Sequence, residues 1–386
     1  VNDLTLGRGL GNQPQNTAFG YHALDTNTTG NFNTAIGLYA LAGNTTGTGN
    51  TSLGSSALIG NKTGSYNIAI GRRTLFSNVS GSDNIAIGTR ALYNCTNRGK
   101  LIAIGDSALF YNSQGATFSS QGIQNTAVGS KALYSNTVGK CNSAYGYETL
   151  FANDTGNYNA AYGHLSLHSN TSGEGNAAMG SFSLDENTSG SWNTATGLGA
   201  MSRNTTGNYN CAYGRSALHE NISAGFNTAI GDASMYNNET GENNVAIGSM
   251  ALFFNTEISD LVAIGDSALY SNGISGYGYP ESAMNTGVGS KALLSNDYGR
   301  CNTALGCEAL YGNSSANYNT AIGAFALKAN NGWSNTATGY GSLQSNTGGG
   351  SNTANGSDAL LANTIGGNNT AIGKDAMHDN TTASNN

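Results

Sequence analysis

Apolar side chains in this chain hold neither a helical nor a strand period for more than a few residues, yet the same few places recur every 17 residues. The landmark is the glycine that closes strings such as NTAIG at Asn33–Gly37. It returns in 17-residue steps from Gly20 to Gly105, from Gly129 to Gly265 and from Gly289 to Gly323. Two steps of 24 residues join these runs, and one step of 16 leads to Gly339 before the beat resumes to Gly373. With each coil numbered from its glycine, position +4 is Leu or Met in all 21 coils. Position −2 is Ala in nineteen, Ser52 and Gly287 being the exceptions. Position +7 is Asn in twenty, with Cys95 the departure, and position −4 is Asn in nineteen, with Leu101 and Leu261 departing. Positions +1 and +2 accept Arg72 and Arg73, Asp106 and Ser107, or Tyr147 and Glu148 without preference. Fixed positions face an interior or make a corner; free positions face water.

Seventeen residues are too few for a pair of helices, and so much glycine would cost helices roughly 1 kcal/mol at each occurrence. Short strands joined by tight turns fit instead, because stacked coils pair their backbones and place like residues over like. The expected fold is all-β, a parallel β-solenoid or β-roll of 21 coils. At about 4.8 Å per coil it makes an elongated rod on the order of 100 Å long. Leu24, Leu41, Leu58, Leu75, Leu92, Leu109, Leu133 and Leu150 begin the candidate core ladder. Glycine at the corner permits positive φ, and Asn at +7 tolerates a left-handed backbone, bonds its own turn and can stack into an amide ladder. The residue before the glycine is aliphatic at Ile36, Ile70 and Ile87 but Tyr145, Thr196 or Asn355 elsewhere, and the sequence does not say whether it points inward or into a subunit contact.

The whole chain, 1–386, reads as one solenoid domain, with 1–15 a degenerate first coil and 381–386 an open C-terminal end. The segments 113–124 and 273–284 are inserted loops at equivalent places. Leu101–Leu109 matches Leu261–Leu269, and Cys141 and Cys301 keep the same offset of 160 residues, so a block of nine coils was duplicated with its loop. Loops on a rigid scaffold are where binding usually sits, and a tolerated insertion is the plain alternative.

Composition narrows the function. The chain has 56 Gly, 2 Pro and only 10% charged residues, which suits neither a disordered tail nor a helical protein. With a net charge of −7 and 15 Lys and Arg, no basic footprint for nucleic acid exists. No apolar run approaches the ~18 residues of a membrane-spanning helix, so membrane insertion is not expected. The first residue is Val, read as the start of a processed, secreted chain. The five histidines are scattered over different positions, no Asp holds a fixed position, and no carboxylate pair breaks the repeat; no enzyme activity, metal or cofactor is expected.

Three further sets of residues are candidates for surface roles. Phe76, Tyr93, Phe110, Tyr134 and Phe151 stand at +5 in consecutive coils, followed later by Tyr236, Phe253 and Tyr270. Tyr158, Trp192, Tyr209 and Phe226 share position −5. Stacked aromatic rows can bind sugars or seal a lateral interface, or they only brace one another. The asparagine at +7 completes an N-glycosylation sequon at Asn27, Asn44, Asn61, Asn78, Asn153, Asn170, Asn187, Asn204, Asn221, Asn238, Asn313 and Asn380. Asparagine also persists at Asn112, Asn136 and Asn255 without a sequon, so a turn role accounts for more of the cases than glycosylation does. Cys141 and Cys301 lie nine coils apart, beyond the reach of a disulfide within one rod, and are either free thiols or bridges between subunits.

The string NTAIGLYAL at Asn33–Leu41 resembles the head repeat of trimeric autotransporter adhesins, the YadA-like head, and similar strings occur in phage tail-fibre-like proteins. The resemblance runs from Asn16 to Asn380, with a coil of 17 residues where the family typically has about 14. It implies a parallel β-roll, an extracellular or cell-surface setting, and adhesion or surface-fibre work, often as a homotrimer. The leading expectation is an extracellular structural fibre subunit whose rods join end to end, and also side by side, into a filament. Its last coil lacks four residues that the opening Leu4–Gly7 of a neighbour resembles and could complete by strand addition. The alternatives are a trimeric adhesin or phage-type fibre that binds cell-surface glycans, and an ice-binding solenoid. An ice-binding surface finds weaker support, since Thr17, Thr34 and Thr51 give way to Ile68, Ile85 and Ile102.

Overall fold

A computed structural model describes residues 4–9, 11, 13–273 and 283–386. The chain is an all-β, parallel β-solenoid, and no helix occurs among the described residues. It divides into two compact units, Val1–Trp192 and Asn193–Asn386.

In the first unit β2 (Thr17–Tyr21) is followed by three-residue strands, β3 (Thr34–Ile36) to β11 (Ala177–Met179). Each lies parallel to the next, with Ala over Ala and glycine over glycine: Ala35 pairs with Ser52, Ser52 with Ala69, and Ala69 with Ala86. The second unit repeats the arrangement from β12 (Thr194–Thr196) to β22 (Thr370–Ile372). Neither long step disturbs the register, since Ile102 pairs with Thr126 and Val262 with Thr286.

A three-residue strand buries only its middle side chain, because successive residues point to opposite faces. The alanine at −2 is therefore the inward residue, and positions −3 and −1 face out. Opposite the strand stands the leucine column. All eight leucines from Leu24 to Leu150 are completely buried, as are Met201 and Met235. The interior between them is filled by the small residue at +3, such as Ala40, Thr74 or Ser166.

The backbone supplies the left-handed turns from an unexpected place. Leucine at +4 has φ near 50° in coil after coil, 51° at Leu41 and 49° at Leu75, and the free position +2 is left-handed too, at Tyr39, Arg73 and Glu148. The asparagines at +7 are not left-handed, contrary to the expectation from sequence. A left-handed leucine costs roughly 1–2 kcal/mol. Burying its side chain returns about 1.5–3 kcal/mol, so burial decides the matter. The repeat glycine needs its lack of a side chain twice over. At Gly88 φ is +130°, and a Cβ there would lie 2.4 Å from the carbonyl oxygen of Gly105 in the next coil.

The opening segment is not a further parallel coil. Strand β1 (Leu4–Gly7) runs antiparallel to β2, with Leu4 opposite Tyr21 and Gly7 opposite Ala18. Gly9 and Gly11, left-handed at φ 71° and 83°, reverse the chain between them. Leu4–Gly7 is thus paired along one edge with β2 of its own chain. At the other end residues 381–386 lie along the last coil, where Thr370 N donates to Asn386 O at 2.8 Å.

Candidate functional surfaces

Two internal columns of asparagine hold the coils together. At +7, Asn44 Nδ2 donates to Asn27 Oδ1 at 2.8 Å and to Gly47 O at 3.0 Å, and Asn61 repeats both bonds one coil on. At −4, Asn50 Nδ2 donates to Gly64 O at 2.9 Å, while Asn33 Oδ1 accepts from Asn50 N at 2.9 Å. Where leucine interrupts the second column, the backbone half survives: Leu101 N still donates to Asn84 Oδ1, and Leu261 N to Asn244 Oδ1. Buried amides satisfied in this way fix register as well as energy.

This geometry bears on the twelve sequons. Asn27, Asn44, Asn61, Asn78, Asn153, Asn170, Asn187, Asn204, Asn221, Asn238 and Asn313 are wholly buried, and only Asn380, in the last coil, is partly open. The amide nitrogen that would carry a sugar is the ladder donor, for example from Asn170 to Asn153 Oδ1 and Gly173 O. A glycan on any of the eleven buried residues is incompatible with the folded coil.

The +7 column breaks once at each insertion. In the first, Asn112 Nδ2 turns to Ser113 Oγ and Gly122 O. Cys95 occupies the preceding position, which leaves Asn78 Oδ1 buried without a donor. Before the second insertion the orphan lies one coil nearer the loop: Asn238 Oδ1 accepts from Asn255, and Asn255 Oδ1, at the position equivalent to Cys95, has no donor. Beyond each loop the column re-forms, from Asn136 to Asn112 and from Asn296 to Asn272, at 2.9 Å in both. The first loop is pinned to the shaft by Arg98, which is 7% exposed and donates to Gln121 O at 2.8 Å and Phe118 O at 2.9 Å. Gln121 Oε1 accepts from Thr117 N and Phe118 N, leaving the Phe118 ring exposed at the tip. Ile258 replaces Arg98 in the second block, and residues 274–282 of that loop lie outside the described residues.

The family models contain no match to this chain, and no curated protein matches it. Its surfaces therefore have to be read on their own chemistry.

The aromatic row at +5 is a continuous stack. Phe76, Tyr93, Phe110, Tyr134 and Phe151 follow at centroid spacings of 5.0–5.2 Å, and His168 extends the row past Phe151 at 5.3 Å. In the second unit His219, Tyr236, Phe253 and Tyr270 do the same. Neighbouring rings cover one another's faces, so the row offers solvent its edges and braces the shaft. The −5 residues behave differently. Tyr158, Trp192, Tyr209 and Phe226 stand on left-handed corners and are at least half exposed, with Tyr209 stacked on Phe226 at 5.1 Å.

The sheet face is the surface that sequence reasoning left undecided. Its outward columns run through Ile87, Ile104 and Tyr145 at −1 and through Thr34, Ile85 and Ile102 at −3. No Lys, Arg, Asp or Glu occupies either column in any of the 21 coils. Tyr162, Met179 and Leu305 are each more than 40% exposed there.

Charged groups gather on other faces. Lys131 Nζ meets Glu148 Oε1 at 2.8 Å and holds that carboxyl below its ordinary range. His168 stands 3.7 Å from Glu148 and 4.0 Å from Asp185, whose own carboxyl burial pushes up. Among the described residues no three His, Cys, Asp or Glu side chains are placed to hold a metal. A shallow groove of about 610 Å³ runs over Gly312, Ala329 and Ser345 beside Tyr311, Lys328 and Gln344, with Lys328 paired to Glu308. No two of the five cysteines pair within the chain; Cys95 is buried, Cys141 and Cys301 are half-buried, and Cys307 is exposed.

Proposed function

We propose that this chain is the shaft of an extracellular structural fibre, and that it associates side by side with further copies through the sheet face. The observation that carries the reading is the uncharged double column at −3 and −1, maintained through both units while charge is spread over the remaining surface. A sheet face chiefly of aliphatic, aromatic and threonine side chains kept free of charge is what a buried contact requires and what a solvated face has no reason to keep. A second copy is the partner that matches it best, because its ridges repeat at the same coil spacing along the full length of the contact. The extracellular setting rests on the resemblance of Asn33–Leu41 to autotransporter heads.

Sedimentation velocity of the full chain over a range of concentrations tests the proposal. Association is expected in the native chain and its loss in Ile87→Lys, a change that leaves the interior untouched. A native chain that stays monomeric throughout, or an Ile87→Lys variant that associates equally well, overturns it.

A further inference from the structure

We infer that Tyr158, Gly175 and Trp192 form a stacking subsite for a pyranose unit of a glycan chain. The three residues occupy position −5 in successive coils of the first unit, as ring, bare backbone and ring. Gly175 is left-handed at φ 67°, and a Cβ on it would lie 2.5 Å from Trp192 Cε3 and 2.7 Å from Cζ3. The indole therefore lies down against the glycine, in space that only glycine leaves open. Tyr158 and Trp192 are 54% and 50% exposed, and among the described residues neither is stacked on another ring. One face of the indole rests on Gly175, and about half of each side chain stays open to solvent, with no second ring stacked on it as in the +5 row.

The spacing and the rim both suit a sugar. Two coil rises separate the Tyr158 and Trp192 positions, about 10 Å, a span that neighbouring units of a glycan chain can cover across the exposed parts of both rings. The C–H face of a pyranose is electron-poor and lies against the negative face of an aromatic ring. Its hydroxyls need polar partners at the edge, and the site has three. Lys140 Nζ is 5.8 Å from the Tyr158 centroid, Glu174 precedes the glycine, and Ser191 precedes the tryptophan, its Oγ accepting from Glu174 N at 3.1 Å. A cation, a carboxylate and a hydroxyl beside half-exposed rings describe a carbohydrate surface better than a lipid or apolar-peptide surface.

The arrangement recurs in the same unit. Phe32, Gly49 and Tyr66 repeat it at position −5, with Gly49 at φ 70° and its virtual Cβ 2.8 Å from Tyr66 Cδ1. The two sets are not related by the 160-residue duplication, so copying of the block does not explain the recurrence. Seven coils, about 34 Å, separate them along one line of the shaft, which suits an extended chain more than a single sugar.

The test uses the full chain on an array of immobilised hexose, N-acetylhexosamine and uronate oligosaccharides. Any oligosaccharide retained is then titrated against a Trp333→Phe background, in which Trp192 is the remaining tryptophan of the two. Saturable change in Trp192 emission is expected, with affinity reduced about tenfold or more in Tyr158→Ala. Gly175→Ala keeps both rings but unseats the indole, and is expected to weaken binding likewise. Far-ultraviolet circular dichroism confirms that each variant keeps its sheet. An array that retains nothing, or binding that survives Tyr158→Ala and Gly175→Ala undiminished, overturns the inference. The Tyr158→Ala variant should sediment as the native chain does, so failure here and failure of lateral association are told apart.

Discussion

Asparagine 153 offers the sharpest test of what holds the coils in register. Its side chain is fully buried and makes three bonds. Nδ2 donates to Asn136 Oδ1 at 2.8 Å and to Gly156 O at 3.1 Å, and Oδ1 accepts from Asn170 Nδ2 at 2.8 Å. Replacing it by alanine removes all three, each worth about 1 kcal/mol net, and strands the Asn136 acceptor at a cost of about 1–3 kcal/mol. The native chain already tolerates such acceptors, at Asn78, Asn255 and Asn363. Asn153→Ala should therefore cost about 4–6 kcal/mol and still fold.

Asn153→Asp separates the amide from mere shape. The new carboxyl would face two acceptors, Asn136 Oδ1 and Gly156 O, with one donor, Asn170 Nδ2, so only its protonated form can bond as the amide does. Its folded midpoint must rise above the unfolded value of about 3.9. The folded state then holds the proton more tightly than the unfolded state. Stability is greatest below the unfolded midpoint, declines as pH rises toward the folded midpoint, and is flat above it. The alanine variant should show no such trend.

Hydrogen exchange read by mass spectrometry on peptides covering this coil is the appropriate assay, because a solenoid can open locally without unfolding as a whole. Exchange through local opening should quicken by about three to four powers of ten at neutral pH, the equivalent of about 4–6 kcal/mol. Native-like protection in Asn153→Asp at neutral pH would refute the ladder as a source of stability.

Two further predictions follow from neighbouring geometry. Gly88→Ala places a Cβ against the backbone of Gly105, which cannot move aside, and should cost several kcal/mol, on the order of 3. Gly373→Ala meets nothing within 4 Å and should cost only about 1 kcal/mol of backbone strain, so equal thermal shifts in the two variants would contradict the stacking argument. Glu148 is held low first by its hydrogen bond to Lys131, so its contribution is present above its unfolded midpoint and is lost as pH falls through the folded one. Lys131→Met should raise the Glu148 carboxyl midpoint in a nuclear magnetic resonance titration; an unmoved midpoint would assign the depression to Tyr147 instead.

Much of the solenoid was legible because coils that stack must repeat their interior. The leucines from Leu24 onward and the two asparagine positions are constrained in every coil, and periodicity exposes such constraints directly. Three features were hidden for physical reasons. Ile87 and Ile104 left the direction of position −1 open because aliphatic residues suit an interior and a subunit contact alike, although a three-residue strand with Ala86 or Ala103 buried leaves its flanks no choice but to face outward. The left-handed +2 corner was invisible because Tyr39, Arg73 and Glu148 all adopt it with side chains in solvent, so no residue type marks it. The left-handed +4 corner was masked by burial, which selects leucine regardless of φ. For the candidate surfaces, sequence located the aromatic positions but not which faces were free. That depends on whether the neighbour in the stack is a ring, as at Phe110, or a glycine, as at Gly175.

The two ladders also explain where this chain changes length. From the asparagine at −4 to the next one at +7 the count is eleven residues at Asn33 to Asn44, at Asn125 to Asn136 and at Asn335 to Asn346. From +7 to the following −4 it varies: six at Asn27 to Asn33, thirteen at Asn112 to Asn125 and five at Asn330 to Asn335. The first arc holds the strand, the glycine corner and the buried leucine. It is bonded to the next coil throughout, by Leu41 N to Ala57 O at 2.9 Å as well as by the sheet. A residue added there would displace every bond between two coils. The second arc needs only to leave one ladder and enter the other. The short turn shows how little it requires, since Asn330 Nδ2 reaches Gly332 O at 2.8 Å where other coils use the residue one further on. Both insertions lie in this arc, and in each the +7 column is interrupted before it and re-formed by a 2.9 Å bond after it. Variable surface on this scaffold is thus confined to one edge of the coil, between two fixed amides.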